Sequence, residues 1–244
     1  MADDGADLLS RSELLSHILS KSSVLPRDES QIASNMSQQL QHMGLSSWSV
    51  SVIRRIRDAV HKVSPNIILE VGAGIGHRSA WLLELFKEYQ TPDRFDIVEQ
   101  GNKFAIIIKR LVDRYEASSW SNIIVGELPT LAAEAMAWKA ATVSGLQSDE
   151  SPLNHEYDVI IVDEKLENLA QYIEHCLPLL SENGVLFTVE PPVPSGEVDE
   201  SDVEMMAHVN GFNSWIELVK SSHETYHIAF APVFEGTIVA FLKK

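Results

Sequence analysis

Residues 66–86 read NIILEVGAGIGHRSAWLLELF: a short apolar run, then three glycines in five positions, then an apolar pattern of helical period. Gly72, Gly74 and Gly76 remove the β-carbon where the first run ends. A strand, a bend that only glycine accommodates easily, and a helix opening directly after it form one βα unit. Such a bend lets another group approach the backbone while the amides of the helix start face it.

Working outward, the same apolar, β-branched signature recurs at 94–99 (RFDIVE), 122–127 (NIIVGE), 157–163 (YDVIIVD) and 184–190 (GVLFTVE). Continuous apolar runs of this length suit strands buried on both faces of a parallel sheet. Helical patterns occupy the gaps at 77–89, 102–117, 129–141 and 165–180, so strand and helix alternate. At the C-terminal end YHIAFAPV and GTIVAFLKK are separated by Phe234 and Glu235 alone, too short for a crossover, which forces an antiparallel hairpin. The expectation is an α/β doubly wound, seven-stranded, mostly parallel sheet with an antiparallel C-terminal hairpin. Residues 1–63 carry three helical patterns, with Pro26 dividing the first two and Gly44 closing the second, and read as an N-terminal helical extension before a domain at 64–244.

Composition narrows the function classes. The chain has 244 residues, 45% of them hydrophobic, and a net charge of −16. No apolar run approaches the ~20 residues that cross a bilayer, and MADDGADLLSRSELL lacks the basic and apolar regions of a signal peptide. The lone Cys176 excludes a disulfide framework and suits a reducing compartment, so a cytoplasmic protein is expected. The acidic balance disfavours a broad phosphate-binding surface. The one basic cluster, IRRIRDAVHK with Arg54, Arg55, Arg57 and Lys62, reads as a solvated helix face. The run EVDESDVE reads as a solvated helix start, with Ser201 and Glu204 as a capping box. His155, His223 and His227 read as surface or packing positions.

Two acids stand out. Glu70 lies two residues before Gly72, placed to meet an amino group, and Glu99 ends the next strand, placed to accept hydrogen bonds from two ribose hydroxyls. The spacing G-A-G-I-G is shorter than the dinucleotide pattern G-x-G-x-x-G. A plain strand-to-helix turn would also use glycine, but it would not need a carboxylate at both strand ends.

This stretch resembles motif I of the class I S-adenosylmethionine-dependent methyltransferases. More narrowly, ILEVGAGIGHRSAWLLE, YDVIIVDEKLENLAQYIEHCLPLLSENGVL, FNSWI and FEGTIVAFLKK resemble the catechol-type O-methyltransferases over residues 46–244. The resemblance implies S-adenosylmethionine as cofactor, with Glu70, Gly72, Ala73, Gly74 and Gly76 around its methionine part and Glu99 at its ribose. Gly126, Glu127 and Leu128 would border the adenine, and Asp163 would face the sulfonium and the acceptor. Arg78, which replaces a Ser of the pattern, could pair with the cofactor's carboxylate. The catalytic candidates are Asp163 and Lys165.

The family's Mg²⁺ set is altered. An ungapped alignment puts Lys165 where a second Asp stands, one deletion makes Glu164 the ligand instead, and only Glu190 follows the fifth strand. At most three oxygen ligands can be named, fewer than a hard cation wants, and no metal ligand is assigned. The resemblance implies O-methylation of a small hydroxylated acceptor by a homodimer, with the N-terminal helices over the crevice or at the dimer contact and Trp48 able to wall the pocket. A tRNA-modifying methyltransferase and a non-catalytic cofactor-binding module are the alternatives.

Overall fold

The computed structural model describes residues 10–146, 151–194 and 201–244. Three helices come first, α1 (Arg11–Ile18), α2 (Gln31–His42) and α3 (Val50–Val63). There follow β1 (Ile67–Val71), α4 (His77–Glu88), β2 (Arg94–Glu99), α5 (Asn102–Arg114), β3 (Ser121–Val125), α6 (Leu128–Val143), β4 (Tyr157–Val162) and α7 (Leu166–Cys176). The chain ends with β5 (Leu180–Val189), α8 (Val203–Ser222), β6 (Tyr226–Val233) and β7 (Gly236–Lys243). The seven strands form one sheet in the order β3-β2-β1-β4-β5-β7-β6. All neighbours run parallel except β7, which is antiparallel to β5 and to β6. The expected architecture, hairpin included, is present.

Strand parity sorts side chains onto two layers. Along β1, Ile68 joins a core with Ile53 and Ile56 of α3, Trp81 of α4 and Ile108 of α5. Leu69 and Val71 join the opposite core with Leu128, Leu169, Ile173 and Trp215. The first core includes Leu15, Ile18, Met36 and Leu40, so the three N-terminal helices share the packing of the sheet across the boundary expected at residue 63.

Two readings of local sequence need correction. The basic face of α3 is only partly solvated. Arg57 is buried against Asp58 at 2.6 Å, Arg54 and Arg55 donate to the carbonyls of Arg27 and Leu19, and Lys62 donates to those of His17 and Ser20. The four cations fasten residues 17–27 to α3, because backbone carbonyls brought there by a linker need donors. At α8 the cap is Asp202, whose Oδ1 accepts from the amides of Glu204 and Met205, rather than Ser201. A carboxylate at the N-cap satisfies two orphan amides and meets the positive end of the helix; residues 197–200 of the acidic run lie outside the described residues. The helical stretch expected at 165–180 is present, with its last turn, Leu177–Leu179, tightened to a 3-10 helix because Pro178 cannot supply the next α-helical amide.

Candidate active site

The strand order reverses between β1 and β4, and ligands of open α/β sheets bind beyond the carboxyl ends of strands at such a switch point. Register brings the decisive residues together there: Val71 pairs with Val98 on one side and Val162 on the other, so Gly72, Glu99 and Asp163 leave the sheet side by side. Gly72 has φ +73°, and a β-carbon on it would fall 1.7 Å from the carbonyl oxygen of Asp163. Only glycine lets β4 lie that close. Gly74, at φ +58°, has open space where its β-carbon would be. The bend is therefore closed on the sheet side and open outward.

Into that opening turns Glu99. Its Oε2 accepts from the Gly74 amide at 2.9 Å and its Oε1 from the Gly101 amide at 3.1 Å. Burial pushes its carboxyl above the ordinary glutamate range, and the two amides oppose the shift. A cavity of about 410 Å³ lies over the bend, within the ~300–1,000 Å³ of small-molecule sites. Of the residues named from sequence, Gly72, Gly74, Glu99, Leu128, Asp163 and Lys165 line it.

Six other expected residues stand behind the wall or beside it. Gly76 packs against Leu111 of α5, and Ala73 is buried with its carbonyl accepting from the Gly76 amide. The Gly126 amide donates to the Glu99 carbonyl, and Glu127 accepts from the Tyr172 hydroxyl at 3.1 Å. Glu70 and Arg78 depart most from expectation. Parity puts Glu70 on the face covered by α4, fully buried, where Oε1 meets Arg78 Nε at 2.8 Å and Oε2 accepts from Ser79 Oγ at 2.8 Å. Asp163, one residue past β4, exits on the same face, and Arg78 Nη1 bonds its Oδ2 at 2.8 Å. Arg78 also donates to the carbonyl of Gly72 and lies under the Trp48 ring, 4.4 Å from its centroid. Its guanidinium is thus spent inside the protein and is not free for a ligand carboxylate, and Glu70, fully buried behind it, does not reach the cavity to meet an amino group.

Burial raises the carboxyls of Glu70 and Asp163 while Arg78 draws both down. For Arg78 burial works against the charge, but the two acids outweigh it and hold the guanidinium protonated. The side chain of Asp163 keeps 30% exposure, with Oδ1 free of any partner among the described residues. Lys165, the N-cap residue of α7, is exposed at the mouth.

Sequence reading missed several lining residues. Tyr172 donates to Glu127 and accepts from Gln100 Nε2; a tyrosine two turns into α7 carries no local sign of this role. Leu40 and Leu45 also line the cavity. They flank Gly44, at φ +65°, where the Leu45 amide returns to the Leu40 carbonyl and the Gly44 amide to that of Gln41. This Schellman motif draws both leucines to one side, and only the C-cap glycine signalled it. Trp48 covers Arg78 and does not line the cavity.

The metal set does not assemble. Among the described residues no group of three His, Cys, Asp or Glu side chains is placed to hold an ion, Asp163 already carries Arg78 on its Oδ2, and Glu164 faces Gln100 at 3.4 Å. The residues present do not fit Mg²⁺.

No family model and no curated protein matches the chain. Solved structures do. An O-methyltransferase, TomG, from Streptomyces achromogenes in complex with SAM superposes with TM-score 0.64 at 16% identity, over 89% of this chain and 92% of that one. The fold is the seven-stranded methyltransferase fold. An O-methyltransferase from Bacillus cereus in complex with SAH gives 0.64 at 17% identity, over 91% and 94% of the two chains. SAH-bound Podospora anserina methyltransferase PaMTH1 gives 0.60 at 17%, over 96% and 94%. Among the described residues no helix is long and apolar enough to cross a membrane.

Proposed function

We propose that the chain is an S-adenosylmethionine-dependent O-methyltransferase acting on a small hydroxylated acceptor. One observation carries the reading: the Glu99 carboxylate turns back onto the amide of Gly74, at a bend open to a cavity of matching size. A ribose diol needs a carboxylate with acceptor capacity to spare, and Glu99 retains it after two amide bonds. The similar solved structures hold SAM or SAH, which supports the same donor here.

The donor supplies an electrophilic methyl group on a sulfonium. The protein's work is to hold the acceptor in line and to manage its proton. Asp163 Oδ1 receives the hydroxyl proton as the acceptor's oxygen forms the new C–O bond, while the electron pair of the breaking C–S bond returns to sulfur. Burial suits Asp163 to this task by raising its proton affinity. Lys165 offsets the negative charge developing on the acceptor oxygen at the mouth. Leu40, Leu45 and Phe104 exclude water from an apolar acceptor body.

A homodimer in the cytoplasm completes the proposal. Phe230 and Phe234, exposed on or beside the edge strand β6, support a self-association surface. The buried, unpaired Cys176 needs no oxidising compartment. A tRNA-modifying role loses support because the basic groups of α3 are spent on carbonyls and Asp58.

Calorimetry with S-adenosylmethionine and S-adenosylhomocysteine, followed by mass spectrometry of a catechol and phenol panel, tests the reading. Donor binding with a product one methyl heavier is expected. No binding of either compound overturns it, and binding without turnover on any acceptor leaves a donor-binding module.

A further inference from the structure

The misfit between this site and Mg²⁺ has a specific cause in the chain. The acid that the resemblance would give to the metal, Asp163, already has a cation on it. Arg78 reaches Asp163 Oδ2 through Nη1 and Glu70 Oε1 through Nε, both at 2.8 Å, and is only 3% exposed. Two carbonyls, those of Gly72 and Val71, take further guanidinium protons, and the Trp48 ring closes one face. An arginine so held cannot swing away to admit an ion, because each of its contacts would be lost inside a buried site. Lys165 adds a second positive group at the mouth. A divalent ion on the same carboxylate would face both charges.

We propose that Arg78 is the resident cation of this site, fixing the orientation and charge of Asp163 in place of a divalent metal, so that the chain binds its donor and turns over without Mg²⁺. The inference rests on the methyltransferase reading above and concerns how that same site is built. Arg78 is a positioning residue: it acts through Asp163. An acceptor on this site needs only one oxygen directed at Asp163 Oδ1, whereas chelation of a metal asks for two neighbouring oxygens. Monohydroxylated phenols are then substrates on the same footing as catechols.

The test begins with the wild-type chain. Mn²⁺ is titrated in, with loss of the free-ion electron paramagnetic resonance signal as readout, and S-adenosylhomocysteine affinity is measured by calorimetry in EDTA and in Mg²⁺. The expected result is no Mn²⁺ site that Asp163→Asn removes, and donor-product affinities equal within about twofold, meaning no coupling between ion and ligand. A Mn²⁺ site lost in Asp163→Asn, or turnover abolished by EDTA and restored by Mg²⁺, overturns the inference. Failure to bind S-adenosylhomocysteine in either buffer overturns the methyltransferase reading instead.

A variant pair sharpens the result. Arg78→Met combined with Glu70→Gln removes one buried charge of each sign, and is expected to lose on the order of 100-fold in kcat with KM for the donor little changed. Arg78→Lys, which keeps the charge, is expected to recover part of that loss. Equal kcat in the pair and the wild type overturns the role given to Arg78. Where the pair does not fold, the Mn²⁺ and calorimetric measurements on the wild type decide.

Discussion

Two buried arginines in this molecule are built alike and end differently. Arg57 bonds Asp58 through Nε and Nη2, gives Nη1 to the carbonyl of Pro26 and lies 5.2 Å from the centroid of Trp81. Arg78 bonds Glu70 and Asp163 and lies under Trp48. Around Arg57 the acid is sealed: Asp58 is fully buried, and its oxygens are taken by Arg57, Arg27 and the Ser22 amide. Around Arg78 one acid, Glu70, is sealed and the other keeps an oxygen toward the cavity. Asp58 therefore serves to pin the N-terminal segment to α3, while Asp163 is oriented by the same chemistry and left with something to do. The placement of one carboxylate oxygen separates scaffold from site.

The sharpest way to break the contrast is Asp163→Asn. It keeps shape and hydrogen bonding but loses the base, and turnover is expected to fall by ~10²–10⁴ in steady-state assays, with the urea midpoint little moved. A large loss of stability with turnover intact would make Arg78's cluster scaffold like the other.

Asp58→Ala is the converse. It leaves Arg57 buried without its counter-charge, expected to cost ~3–5 kcal/mol in urea unfolding, with the native fraction keeping its affinity for S-adenosylhomocysteine. Lost affinity in fully folded protein would show that the sealed cluster also reaches the site.

Gly72 and Gly74 offer the same contrast in the backbone. Gly72→Ala drives a methyl into the Asp163 carbonyl and is expected to destabilise by more than ~2 kcal/mol. Gly74→Ala meets open space, carries only the ~1–2 kcal/mol of a left-handed backbone, and shows its effect in calorimetry by narrowing the cavity.

A smaller effect attaches to Glu99, and its signs oppose one another. Burial raises its native pKa, so the group favours the folded state below the ordinary glutamate pKa of ~4.3 and ceases to do so as pH rises through the native value. Ligand binding uses the charged form and must strengthen over that same rise. Glu99→Gln is expected to weaken S-adenosylhomocysteine about tenfold at neutral pH and to flatten the calorimetric pH profile. Smallest is Trp48→Leu, which removes the stack on Arg78 for about 0.5–1 kcal/mol in urea unfolding.

Much of this was legible in residue order alone. Continuous apolar, β-branched runs alternating with helical ones specify a parallel sheet, and a linker of two residues specifies the final hairpin, because both are local geometric demands. The glycine bend and the acids ending β2 and β4 were equally plain: a carboxylate at the end of a buried strand must face something polar. Parity along β1 is local too, and it says that Glu70 and Leu69 face opposite ways.

Which helix covers each face is not local. Only the packing of α4 on the sheet decided that Glu70 looks at Arg78 and Ser79 rather than at a ligand, and that Asp163, 85 residues after Arg78, shares the same guanidinium. The basic face of α3 was misread for the same reason: its partners are carbonyls of a linker, which carry no signature in residue type. Leu40 and Tyr172 reach the cavity through a helix end and a helix face whose directions are set by the core beneath them. Residue order determined the sheet and the bend, where each residue answers to its neighbours; tertiary packing decided the charges, because a buried ion's role depends on what stands opposite it in space.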